Sequence, residues 1–138
     1  MIRGTRATVL AASLVAVAAL QLPAAAWAGQ RVAPPEGASC PRDRLTLYSG
    51  AVRSYRRGAG QTTLRIRTDW ETTERVRIRH PGSDDPSRWF LIERAPFTPA
   101  DWARIESAPG KLRPGVRAAA WVCSDGSPTI VDWMLPPR

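Results

Sequence analysis

Histidine, cysteine and lysine are scarce in this chain. Of 138 residues one is a histidine, His80, two are cysteines, Cys40 and Cys123, and every basic residue but Lys111 is an arginine. A zinc centre of closely spaced Cys and His pairs is excluded by that inventory, and so is a C-x-x-C redox pair. The chain has no phosphate-cradling glycine loop and no nucleophile motif. Its twelve carboxylates are scattered, with no pair set out for acid–base work. His80 stands near Asp84 and Asp85, but those acids sit in a Pro/Gly loop with no second ligand cluster, so an ordinary polar turn is the expectation there. We therefore expect no enzyme, no cofactor and no metal. Internal repeats and a second domain are absent too.

The first 28 residues have the make-up of a secretory signal. Arg3 and Arg6 start it, Ala7–Leu20 is an apolar run, and Ala26-Trp27-Ala28 is a small-x-small cleavage site. The rival reading is an uncleaved membrane anchor, which needs about 20 apolar residues; Gln21 and Pro23 interrupt this run. Cleavage after Ala28 predicts an exported protein, periplasmic or extracellular, with residues 29–44 as an extended leader and 45–138 as one domain. Loss of Arg3 and Arg6 lowers the formal net charge of +8 by two. Two cysteines in an exported domain predict one disulfide, Cys40–Cys123. It would close a loop worth about 4 kcal/mol in the chain-entropy view, a large share of the net stability of a small core.

Along the domain, Leu45–Arg57 reads as a first strand, with a phase shift near Gly50-Ala51 where glycine permits a bulge or bend. Arg56-Arg57-Gly58-Ala59-Gly60-Gln61 is a turn. Two strands follow, joined through Trp70-Glu71-Thr72-Thr73. Trp89–Ile92 reads as a short strand or extended core segment. Thr98 fits an N-cap, Pro99 the first helical position and Asp101 the acidic third position. Phe97 and Trp102 are spaced as a hydrophobic staple, so a helix is expected over Pro99–Ser107, ended by Pro109-Gly110. Gly115–Ser124 and Thr129–Leu135 are the last strands. In the first of these, Ala118 and Ala120 share one face, and Trp121 and Cys123 the other.

The second and third strands carry the strongest pattern. Strand side chains alternate faces with period two. Leu64, Ile66, Val76 and Ile78 therefore point one way, while Arg65, Arg67, Arg75, Arg77 and Arg79 point the other. Like charges placed opposite one another destabilise a sheet, so the pattern calls for an anionic partner. Arg56 and Arg57 add charge from the first turn, with Arg53 and Tyr55 adjoining, and Trp70 sits near the hairpin tip. The rival expectation is a merely solvated face, neutralised in part by Asp69, Glu71 and Glu74. Trp102 and Trp89 are expected in the core; Trp121 is either exposed or packed near the disulfide.

The element order, three strands, one helix, two strands, resembles the OB-fold, a small five-stranded Greek-key barrel. The resemblance spans Leu45–Leu135 and is one of order, without a diagnostic motif. It implies binding along the second and third strands. A different small β-barrel or a half-open sheet with one helix is the alternative. The expected function is non-catalytic binding of an anionic partner, such as a nucleic acid, a lipid phosphate, an acidic glycan or an acidic protein face. Arg56, Arg57, Arg65, Arg67, Arg75, Arg77, Arg79 and Trp70 would form the site. A protein–protein inhibitor or adaptor with no polyanion ligand is the second expectation.

Overall fold

The computed structural model describes residues 33–138; the expected signal over 1–28 and the start of the leader lie outside the described residues. The fold is mainly β with one short helix. Nine strands form: β1 (Leu45–Gly58), β2 (Gln61–Thr68), β3 (Thr73–Arg79), β4 (Phe90–Ile92), β5 (Ala95–Pro96), β6 (Glu106–Ala108), β7 (Lys111–Leu112), β8 (Arg117–Cys123) and β9 (Ile130–Met134). Seven of them make one sheet in the order β3-β2-β1-β8-β9-β4-β5, and β6 and β7 form a separate hairpin. Every neighbouring pair is antiparallel except β4 with β9. The sheet is not closed: β3 and β5 are its two ends.

The inner face holds the core. Leu64, Ile66, Val76 and Ile78 are all 2 % exposed or less, as the alternation predicts. Ala118 and Ala120 are fully buried beside them, leaving room for the indole of Trp133, which is itself fully buried. Trp133 meets Phe90 and Tyr55 edge-on, with ring centroids 5.3 and 5.8 Å apart. Such geometry suits the ring quadrupoles.

The phase shift of β1 lies at Arg53, between Val52 and Ser54, two residues beyond the expected Gly50-Ala51. Gly50 has a different task. A β-carbon there would lie 1.9 Å from the Arg67 carbonyl oxygen, so only glycine lets β1 and β2 approach at that point.

The helix is shorter than expected. Pro99–Asp101 is a 3-10 turn and α1 spans only Trp102–Ile105, after which Glu106 turns extended into β6. The predicted start is present. The Asp101 carboxylate accepts the Thr98 N–H and hydroxyl, both at 2.8 Å, and the Phe97 and Trp102 rings lie 5.0 Å apart. What ends the helix early is a long-range contact. The Glu106 carboxylate turns inward to accept the Tyr55 hydroxyl at 2.7 Å, an Arg57 N–H at 3.2 Å and the Gly110 N–H at 3.2 Å.

The disulfide joins Cys40 to Cys123 with the α-carbons 6.0 Å apart. It pins the leader across the end of β8. Arg94 donates to the Ala33 carbonyl at 2.9 Å, and Gly37 packs on Ile130, the strand neighbour of Trp121. Trp121 is only 4 % exposed there, which settles its placement as buried. Among the described residues no helix is long and apolar enough to cross a membrane.

Candidate functional site

Register places the arginines of β2 and β3 in rows on the outer face. Arg65 stands directly opposite Arg75, Thr63 opposite Arg77, Gln61 opposite Arg79 and Arg67 opposite Thr73. Arg56 of β1 lies beside Thr63, and Ser54 beside Arg65. All five hairpin arginines are exposed. With a rise of about 3.4 Å per residue, successive outer-face guanidinium groups of one strand repeat at about 6.8 Å. Arg56, Arg65, Arg75 and Arg77, with Gln61 and Thr63, line an open depression of about 430 Å³.

Acidic neighbours do not neutralise this face. Among the described residues the ion pairs are Arg57–Glu106, Arg104–Glu93, Arg104–Asp101 and Arg117–Asp69. None involves Arg65, Arg67, Arg75, Arg77 or Arg79. Asp69, expected to offset them, is taken by Arg117 on β8. Glu74 pairs with Ile66 in the register, on the inward-facing phase of β3. Five cations thus share one solvated surface with no counter-charge of their own, and two of them oppose each other directly. Guanidinium groups in this arrangement offer flat forks for bidentate, charge-assisted bonds to carboxylate or phosphate.

Trp70 lies at the turn between β2 and β3 and is 88 % exposed, beyond the end of the arginine rows. It does not stack on any of the five. Arg57, counted with the site from sequence, is directed elsewhere. Period two sends Arg56 outward and Arg57 inward, where its guanidinium pairs with Glu106 and lies 4.2 Å from the centre of the Trp102 ring. Tyr55 follows Arg57 to the inner side. Burial above all, then the hydrogen bond to Glu106 and its charge, push the Tyr55 phenol well above its ordinary range. It is therefore a fixed neutral donor to Glu106. Arg53 is exposed at the bulge. It lines a second depression, with Lys111 and Arg113, apart from the arginine rows.

His80 is buried, at 4 % exposure, and both ring nitrogens are engaged. Nδ1 lies 2.7 Å from the Ser83 carbonyl, which can only accept, and Nε2 shares a hydrogen bond of 2.9 Å with the Thr62 hydroxyl. Neither is free to ligate a metal, and Asp85 instead caps its own turn through the Ser87 N–H. Cys40, Cys123 and Asp125 cluster, but the sulfurs are bonded to each other. That leaves one carboxylate, which is no metal site.

The Tyr55–Glu106–Arg57 group is the feature that sequence reasoning missed. Glu106 is 51 residues from Tyr55 and 49 from Arg57, and no local spacing signals the contact. No known protein family, characterised protein or solved structure matches this chain.

Proposed function

We propose that this protein is an exported, non-catalytic module that binds an anionic partner on the outer face of β2 and β3. The observation behind this reading is the set of five exposed arginines without an ion-pair partner among the described residues. An isolated surface ion pair is worth little. A multivalent anion that meets several guanidinium groups at once gains from each of them and relieves their mutual repulsion. The OB-like reading of the fold belongs to the same proposal. It is supported by β8 lying beside β1 in the order β8-β1-β2-β3, which is compatible with a Greek key once the short strands β4 to β7 are passed over, and by α1 falling between the third and fourth long strands. On that reading the barrel is left open, since the end strands β3 and β5 do not pair with each other. Export is supported by the disulfide, which persists in oxidising compartments.

Replacing Arg67 and Arg77 with glutamate tests the site. Retention on a heparin or phosphocellulose column should fall to background while the melting temperature stays within a few degrees of the parent. Unchanged retention removes this face from the proposal. The second reading, an adaptor or inhibitor that docks on a protein without a polyanion, rests on Trp70, exposed as interface anchors are before binding. Partner binding that is lost in Trp70→Ala and insensitive to salt would favour it.

A further inference from the structure

β3 is an open edge. It pairs with β2 on one side and with nothing on the other among the described residues. Which of its backbone groups are free follows from two hydrogen bonds. His80 N–H donates to the Gly60 carbonyl at 3.0 Å, and Thr68 N–H to the Thr72 carbonyl at 2.8 Å. Both continue the β2–β3 register, and antiparallel pairs alternate between bonded and unbonded positions. Glu74, Val76 and Ile78 therefore spend their N–H and C=O groups on β2. Arg75, Arg77 and Arg79 turn theirs to the open side. The same three residues thus offer a free backbone donor and acceptor at the edge and a free guanidinium on the outer face.

Two of these residues, Arg77 and Arg79, also line a groove of about 510 Å³ together with Pro81, Trp89, Pro128 and Thr129. Its size is within the range of ordinary ligand sites. A second copy of β3 does not suit it, because arginines would then oppose arginines; basic residues on an edge discourage such self-pairing. A strand with carboxylates at alternate positions suits it well. Its side chains repeat at the same spacing of about 6.8 Å. Each acidic residue opposite an arginine would share both backbone bonds and a cross-strand ion pair with it.

We propose that β3 is extended by a peptide strand of a partner protein, with acidic residues at every second position facing Arg75, Arg77 and Arg79 and smaller apolar residues between them facing the groove beside Trp89. This rests on the anion-binding face proposed above and names its partner. Strand addition draws affinity from main-chain bonds and specificity from alternate side chains.

The test is titration of the intact protein with a capped synthetic peptide of alternating glutamate and valine. It should bind at least about tenfold tighter than a peptide of the same composition with its glutamates in one block. N-methylation at the glutamate nitrogens should weaken it about tenfold or more, whereas N-methylation at the valines, whose N–H groups point away from β3, should not. Equal binding of the alternating and blocked peptides, or indifference to glutamate N-methylation, overturns strand addition. A single-stranded oligonucleotide that binds where the alternating peptide does not assigns the face to a phosphate chain and overturns it too. Retention on heparin separates the two levels. Retention without peptide binding removes the strand and leaves the anion face standing, while loss of both removes both.

Discussion

At the scale of single residues, two positions control much of the geometry. Gly50 is one. Any β-carbon there collides with the backbone of Arg67, and backbone cannot move aside as a flexible side chain can. Gly50→Ala should cost about 2 kcal/mol or more, the usual size of a forced overpacking, seen as a fall in the melting temperature of roughly ten degrees. It should also weaken polyanion binding, since Arg67 would shift with its strand. Asp101 is the other. The Arg104 guanidinium first, then the Thr98 N–H and hydroxyl, hold its carboxyl below the usual carboxylate range. A carboxyl depressed in the folded state adds stability that is fully present above its unfolded value of about 3.9 and disappears as pH falls through the folded one. Asp101→Asn should therefore be less stable than the parent near neutral pH. The gap should narrow as the medium is made more acidic than that unfolded value, and melting curves across an acid series measure it. A constant gap would show that the charge is not what the cap uses.

Elements differ in how far local sequence determines them. The β2–β3 hairpin was legible because both faces obey one rule, alternation, and need no distant partner; Leu64, Ile66, Val76 and Ile78 are buried and the arginines between them exposed. The capped 3-10 turn that leads into α1 was legible for the same reason, since Thr98, Asp101, Phe97 and Trp102 meet within one turn. The end of the helix was not. Glu106 leaves the helix to meet Tyr55 and Arg57, which come from a strand about 50 residues earlier, and helix propensity has no access to that contact. Arg57 was misplaced by the same blindness, because the side to which it points depends on a bulge at Arg53 that only the register with β2 defines. The leader is held by the disulfide, whose ends are 83 residues apart. Cys40→Ser with Cys123→Ser should lower stability by about 4 kcal/mol in the chain-entropy view. Reduction of the parent with a thiol should reproduce the loss in a thermal scan, and no change would place the leader's anchoring elsewhere.

At the scale of the whole molecule, the sheet has two unlike faces. One face gathers the aromatic and aliphatic core around Trp133, and the other exposes a dense block of arginine along an unclosed edge. Outside that block three arginines are ion-paired among the described residues, Arg57 with Glu106, Arg104 with Asp101 and Glu93, and Arg117 with Asp69, while others, Arg53, Arg56 and Arg88 among them, are not. The contrast between matched and unmatched guanidinium groups is what sequence alone did not decide. Asp69 lies next to the hairpin in sequence yet is held by β8 in space. On the proposed reading the free arginines act together on one ligand, so a monovalent carboxylate should compete poorly against a polyanion at equal charge concentration.

The salt dependence of heparin binding puts the unmatched arginines to the most direct test. Affinity plotted against salt on logarithmic axes should fall in a straight line, as counter-ion release requires, and each neutral replacement among Arg65, Arg67, Arg75, Arg77 and Arg79 should make the slope shallower by about one. A slope that stays the same after Arg75→Gln and Arg77→Gln would contradict the assignment of anion binding to this face.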